Sequence, residues 1–303
     1  MTHSIDRKHD DYLVRATAKD GLLRCFAVRT NKLVERAREI HDLPPMSTVA
    51  LGRLMTGALL MSTDLKNDTD SLDVIIRSDG PIGGLTAGAF PGGRVRGTVG
   101  NPRTESLHHR PGKLNVGAAV GKGTLTVIKD LGLKEPYSGS IDLLSGEIAE
   151  DLAAYYFYSE QIPTVMMLGV KVGSDGTEQA GGLMVQVMPG ADDELLDWLG
   201  MRAAGYPEIT SFLEDGFDPH QLIDLLLGDP ELKYGDAYPV EYFCPCSRER
   251  MERSLIALGA RDLSELAEKP EGIELECHFC HRKEHFSQDD IKKIQDKQAG
   301  GDQ

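Results

Sequence analysis

Apolar runs of strand length, cut apart by Gly, Pro and Asp, make up most of the first 188 residues. YLVRATA (12–18) and LLRCFAV (22–28) flank Lys19-Asp20-Gly21, which predicts a hairpin with Gly21 at the positive φ that the turn demands. LDVIIRS, IGGLTAG and RVRGTVG follow, separated by Asp79-Gly80-Pro81 and Pro91-Gly92-Gly93, the pattern of a meander. TVMMLGVKV and QAGGLMVQV predict another hairpin across Gly173-Ser174-Asp175-Gly176. Helical spacing interrupts these strands. TNKLVERAREI places Leu33, Ala37 and Ile40 on one face and is stopped by Pro44-Pro45. VALGRLMTGALLM (49–61) is too short to span a bilayer and contains Arg53, so it predicts a buried helix. SGEIAEDLAAYYFYSEQ predicts a helix with Ser145 as N-cap, acids Glu147, Glu150 and Asp151 near its positive end, and Ile148, Leu152, Tyr155 and Tyr156 lined up.

After Pro189 the pattern changes to three short amphipathic segments, DDELLDWLGMRAA, PEITSFLEDG and DPHQLIDLLLGD, with acidic backs. Two readings stay open for them. They are ordinary helices capping the sheet, or a conditionally stable linker whose acids repel and whose helices hold only while docked, each shorter than the ~12–15 residues at which isolated helices become marginal. From about 237 a compact module follows. Val240, Tyr242 and Phe243 lead into a cysteine pair, SRERMERSLIALG predicts a helix ending at Gly259, and Asp262 with Glu265 resembles a capping box opening a second helix. IELECHFC brings a second cysteine pair, FSQDDIKKIQD predicts a last helix, and AGGDQ predicts a disordered tail. The expected fold class is α+β: a β-rich core domain (1–189), an acidic helical linker (190–236), a cysteine module (237–290), and a helix end with tail (291–303).

Charge changes this picture by exclusion. The formal net charge is −15, from 48 acidic and 33 basic residues. Twelve acids against two bases put −10 of it between 190 and 236. Phosphate-backbone binding needs a basic footprint, so nucleic acid is not an expected partner. No segment predicts a membrane span, and the charged start MTHSIDRKHDDY lacks the apolar region of a secretory signal, so a reducing cytoplasmic location is the expectation. In that setting clustered cysteines point to metal or redox chemistry more than to structural disulfides.

Four of the five cysteines, Cys244, Cys246, Cys277 and Cys280, form C-x-C-x30-C-x2-C. Two thiolate pairs joined by a helix-bearing loop fit a closed tetrahedral Zn²⁺ site, one ion per chain. His278, His281 and His285 crowd the second pair, so a three-Cys, one-His set is the alternative; the symmetry of the two pairs favours four sulfurs. Arg248, Arg250, Arg282 and Lys283 are candidates to offset the negative charge of four thiolates. Unlike the C-x2-C or C-x4-C pairs usual in zinc ribbons, these pairs also allow local disulfides once a thiolate meets an oxidant. A metal clamps both ends of the loop, a cross-link worth roughly 3.5 kcal/mol as a single covalent bridge. Bridges Cys244–Cys246 and Cys277–Cys280 would leave those ends unjoined and forfeit a metal-binding free energy on the order of 10–16 kcal/mol. The expectation is a switch that unfolds on oxidation.

This cysteine motif, together with LGRLMTGALL, YSGSIDLLSGEIAEDLAAYYFYSEQIPT and AGGLMVQVMPGA, resembles the heat-shock protein 33 family of redox-regulated holdase chaperones, over essentially the whole chain. The resemblance implies a latent, zinc-bound reduced monomer. Oxidants would drive disulfide formation at Cys244, Cys246, Cys277 and Cys280, zinc loss and unfolding of module and linker. A homodimer would then capture unfolding client proteins without ATP. Other signals stay bland. Cys25 shares a strand face with Leu23 and Ala27 and predicts a buried, inert thiol. GAAVGKGT lacks the spacing of a phosphate loop, and His108-His109 and GPIGGLTAG predict turns and loops. A zinc-ribbon nucleic-acid binder is the second class, opposed by the charge. An enzyme with a structural zinc is the third, for which no catalytic constellation is visible.

Overall fold

The computed structural model describes residues 5–110 and 113–300. The chain is mixed α+β and divides into two compact units, Met1–Phe243 and Cys244–Gln303.

In the first unit β1 (Tyr12–Ala18) and β2 (Leu23–Arg29) form the predicted hairpin. Its turn is left-handed at Lys19 and Asp20 as well as Gly21, with φ of 51°, 53° and 88°. α1 (Asn31–His41) buries Leu33, Val34 and Ala37 and ends on Asp42 at φ 48°. α2 (Pro45–Met61) starts earlier than its apolar run predicts, because Pro45 brings a helix-compatible φ and no N–H to leave unpaired. Every α2 residue from Met46 to Met61 except Arg53 is buried. The predicted meander is β3 (Ser71–Ser78), β4 (Leu85–Phe90) and β5 (Arg94–Val99). A short hairpin, β6 (His108–Arg110) and β7 (Lys113–Leu114), and α3 (Val116–Val120) lead to β8 (Gly123–Asp130) and β9 (Tyr137–Asp142). GAAVGKGT is therefore helix, turn and strand start. It rests on the Asp79-Gly80 turn, where the Gly80 N–H donates to the Val120 carbonyl (3.0 Å) and a Cβ would meet that oxygen at 2.3 Å.

The next helix departs from expectation. α4 (Ala149–Tyr155) begins after Ile148, not after Ser145. Asp151, fully buried, takes the capping role by accepting the N–H groups of Leu144 (2.7 Å), Ser145 (3.1 Å), Gly146 (3.3 Å) and Ile148 (2.9 Å). That wraps the chain so tightly that Ile148 sits at φ 71°, which a β-branched residue adopts only under such constraint. Glu147 lies outside the helix, paired with Arg53 at 2.7 Å. A wider turn, Tyr156–Glu160, then leads into the hairpin of β10 (Thr164–Val172) and β11 (Thr177–Val187).

α5 (Asp193–Ala204), α6 (Ile209–Glu214) and α7 (Pro219–Leu227) follow, then three two-residue strands, β12 (Lys233–Tyr234), β13 (Tyr238–Pro239) and β14 (Glu241–Tyr242). One sheet has the order β10-β11-β2-β1-β12, with β13 also on β1; the other runs β14-β5-β4-β3-β8-β9. Residues 238–242, assigned by sequence to the cysteine module, thus pair with β1 and β5 of the first unit. One core joins α2 to side chains of both sheets, among them Leu13, Val28, Leu72, Val74 and Val127. The opposite face of the first sheet (Val14, Leu23, Cys25, Ala27, Val185) is covered by Leu199, Ile209, Leu213, Leu222, Ile223, Leu226 and Leu227 of the acidic segment. Polar ties reinforce this layer. Arg29 donates to the Phe217 carbonyl (2.8 Å), the Lys19 N–H donates to Asp229 (3.0 Å), and Arg202 donates to the Leu225 and Leu226 carbonyls (2.8 and 2.6 Å).

The second unit contains α8 (Arg248–Ile256), α9 (Ala260–Ala267), the hairpin β15 (Ile273–Glu276) and β16 (Lys283–Phe286), and α10 (Gln288–Gly300). No capping box opens α9: Gly259 is its N-cap, and Glu265 instead accepts from Arg261 at 3.2 Å. α10 runs through Ala299 and Gly300, where a tail was expected; residues 301–303 lie outside the described residues. The core of this unit is Met251, Leu255, Leu263, Ala267, Phe286, Ile291 and Ile294.

Candidate metal centre

Each cysteine pair is held by an element whose polar ends suit sulfur. Cys246 immediately precedes Ser247, the N-cap of α8, whose hydroxyl accepts the Arg250 N–H at 3.3 Å. The first cysteine pair therefore lies at a helix N-terminus, where backbone N–H groups favour negative charge. Cys277 to Cys280 form the turn of the β15–β16 hairpin, closed by Cys277 N–H to the Arg282 carbonyl (2.9 Å) and His281 N–H to the Cys277 carbonyl (2.8 Å). His281 pays for this turn with φ 55°.

The fold brings the four sulfurs together, all within 4.8 Å of one another, and all are free thiols. Across the pairs, Cys244 Sγ is 3.7 Å from Cys277 Sγ and Cys246 Sγ is 3.1 Å from Cys280 Sγ. Four sulfurs around one ion at ~2.3 Å sit about 3.8 Å apart, so the donor set fits a closed four-sulfur metal site. Burial pushes the Cys246 and Cys280 thiols up. Burial acts the same way on Cys277, but the Phe279 and Cys280 N–H groups donated to its sulfur outweigh it and bring that thiol down. These backbone donors follow from the C-x2-C turn, which aims the N–H groups of its third and fourth residues at the first sulfur.

Among the described residues the cluster contains no histidine. His281 Nδ1 is bonded to the Glu276 carboxylate, and His285 Nε2 to the Glu271 carbonyl at 2.9 Å. The basic residues divide. Arg282 pairs with Glu284 (2.7 Å), which raises its pKa first of all, with Cys246 and Cys280 adding to the effect. Arg248 pairs with Asp290 (2.9 Å) and lies over the Phe286 ring at 4.2 Å. Lys283 pairs with Glu274 (2.8 Å), and Arg250 donates to the Pro245 carbonyl (3.2 Å). Arg282 therefore feels the sulfurs as well as its carboxylate partner, while Arg248, Arg250 and Lys283 are bonded to carboxylates or carbonyls. Cys25 is far from this in sequence and fully buried in the first sheet, with its thiol pushed up to about 12 by burial. His109 lies on β6, 3.4 Å from Glu147. Among the described residues no helix is long and apolar enough to cross a membrane.

Comparison with known proteins bears on the whole chain. A family model described as Hsp33 protein matches residues 11–287. The 33 kDa chaperonin of Ruminiclostridium cellulolyticum is 44% identical over 284 residues, covering 94% of this chain and 97% of that protein. That of Clostridioides difficile is 42% identical over 285 residues, covering 94% and 98%. The crystal structure of the 33 kDa chaperonin, a heat shock protein 33 homologue, from Thermotoga maritima superimposes with a TM-score of 0.86 at 32% identity, covering 96% of this chain and all of that one.

Proposed function

The chain belongs to the HSP33 chaperone family, and from that premise we propose that it is an ATP-independent holdase switched on by oxidation. Cys244, Cys246, Cys277 and Cys280 would hold one Zn²⁺ in the reduced, latent state. Zinc bound there supplies fastening rather than reaction, its positive charge keeping four sulfurs as thiolates at both ends of the loop.

The observation that carries this reading is the pairing of a four-sulfur cluster with a core of seven buried side chains. A unit of this size rarely stabilises itself through apolar burial alone. Oxidation forms one S–S bond per pair of thiolates; each bond gives up two electrons to one peroxide, which takes two protons from solvent and leaves as two waters. The cross-pair sulfurs meet only while the module is folded, whereas Cys244 with Cys246 and Cys277 with Cys280 stay neighbours in an opened chain. Local disulfides are therefore the products that persist, and they leave no thiolate ligands.

The acidic segment 190–236 is the second moving part. Its helices owe their burial to the first sheet, and its charges repel one another. Release would expose the apolar face of β1, β2 and β11 for unfolding client proteins, and for pairing with a second chain. Zinc content, disulfide mapping and suppression of thermal aggregation of an unrelated protein, measured before and after peroxide with mild heat, test the proposal. Activity confined to the oxidised, zinc-depleted sample is expected; full suppression by the reduced protein, or bridges running between the two pairs, contradicts it.

A further inference from the structure

Beneath α7 lies a histidine that the metal centre does not use. His220 is 9% exposed, on the face of α7 that covers the first sheet. Its ring lies between two tyrosines, with centroids 5.7 Å from Tyr12 of β1 and 4.9 Å from Tyr234 of β12. Nδ1 is 3.1 Å from the Tyr12 hydroxyl. Tyr234 closes the other side, its hydroxyl donating to the Asp224 carboxylate (2.6 Å) and lying 3.0 Å from the His220 carbonyl. The docked segment thus seals an imidazole between aromatic rings and a hydroxyl partner.

We propose that protonation of His220 is a second release signal for the acidic segment, so that mild acid loosens its docking on the first sheet without any change at the cysteines. A neutral imidazole keeps one hydroxyl bond here, at Nδ1, while an imidazolium needs solvent or a close counter-charge. The carboxylates near it are committed elsewhere: Asp218 lies within ion-pair distance of Nδ1 at 3.9 Å, but its carboxylate caps α7 through the Gln221 N–H. Asp224 is engaged by Tyr234. From the N-terminal segment Arg7 opposes a positive ring. Burial is the largest influence on His220 and, with Arg7, lowers its pKa against the opposing pull of Asp218 and Asp224.

The sign follows. With a folded-state pKa below the ~6.5 of a free histidine, the released segment binds the proton more tightly than the docked one. Docking is at full strength above ~6.5 and weakens as pH falls through that value, by up to about tenfold in the docked-to-released ratio per pH unit. Asp11, raised to about 6 mainly by burial, has the opposite sign and favours the folded state as pH falls, so it does not mimic the effect.

That release exposes client-binding surface rests on the function proposed above; acid release itself does not. Trp198, the chain's one tryptophan, lies on α5 and reports docking directly. The test follows its emission and proteolysis between 190 and 236 from pH 8 to 5.5 on full-length, reduced, zinc-loaded protein. Zinc retention is checked at each pH, and an NMR titration of the His220 ring runs alongside. Wild type is expected to release with falling pH while retaining zinc, with His220 titrating below ~6.5; His220→Gln and His220→Phe are expected to lose the pH slope. A flat wild-type response, an unchanged slope in both variants, or a ring titrating at or above ~6.5 overturns the proposal, the last even if both variants fail to dock. Release without aggregation suppression would instead count against the holdase reading.

Discussion

The two units solve the same problem with unequal means. In the first, α2 is buried almost throughout and, among the described residues, a core of forty side chains joins it to both sheets. In the second, seven buried side chains lie beside four sulfurs that converge within 4.8 Å. The first unit carries enough apolar burial to stay folded through chemical change at a few side chains. On the function proposed above the second concentrates its stability in one polar cluster, and a polar cluster can be altered by chemistry that leaves a hydrocarbon core untouched. Between these extremes is the acidic segment, which adds seven buried side chains to a face otherwise made by strands. On the function proposed above it is folded by docking, and what docks can be released.

The largest expected effect comes from the sulfurs. Chelation, or Cys246→Ser, should remove most of a binding free energy on the order of 10–16 kcal/mol and unfold residues 244–300. Hydrogen exchange should show loss of protection there, while α2 and the two sheets stay protected. Equal loss in both units would erase the comparison.

Matched truncations sharpen it. Phe286→Ala in the small core and Leu54→Ala in α2 each remove a fully or nearly fully buried side chain, at costs of about 3–5 and 2–5 kcal/mol. Phe286→Ala should raise the apparent zinc Kd by two orders of magnitude or more, because folding and binding are one equilibrium there. Leu54→Ala should lower the Tm of the first unit and leave zinc affinity alone. Calorimetry with competitive zinc titration separates the two.

Within the acidic segment the expected effects are graded. Leu222 of α7 is fully buried, whereas in α5 only Leu199 is buried and Met201 is 70% exposed. Leu222→Ala should cost about 2–5 kcal/mol of docking and give measurable aggregation suppression by reduced protein. Leu195→Ala, at a half-buried position, should cost about 1 kcal/mol and give little. The reverse order would show that α5 rather than α7 holds the layer.

The smallest effect concerns Cys25. Its buried thiol, held up to about 12, should resist alkylation at pH 7.5 while the segment is docked and react only after release. Mass spectrometry of the alkylated peptide checks this.

Much of this was legible in the sequence where a local rule and the fold agree. Hairpin turns showed because Gly21 and Gly176 take φ of 88° and 134°. α2 showed because apolar residues surround it, and C-x-C-x30-C-x2-C located all four sulfurs. What stayed hidden depends on partners distant in sequence or on competing local bonds. Ser145 looks like an N-cap, but Asp151 collects four backbone donors and moves the helix start. Residues 238–242 belong to the first unit because β1 and β5 offer free edges, which no periodicity in two-residue strands announces. His220 reads as one residue of an amphipathic helix until β1 and β12 place a tyrosine on each side of it.

The central claim is that the sulfur cluster, not the seven-residue core, fastens the second unit. The direct measurement is limited proteolysis of residues 244–300 alongside zinc release, on one sample taken through graded peroxide. Protease resistance should fall in step with zinc released while α2 and the two sheets of the first unit remain resistant. A second unit that loses its zinc yet stays as resistant as before would contradict the account.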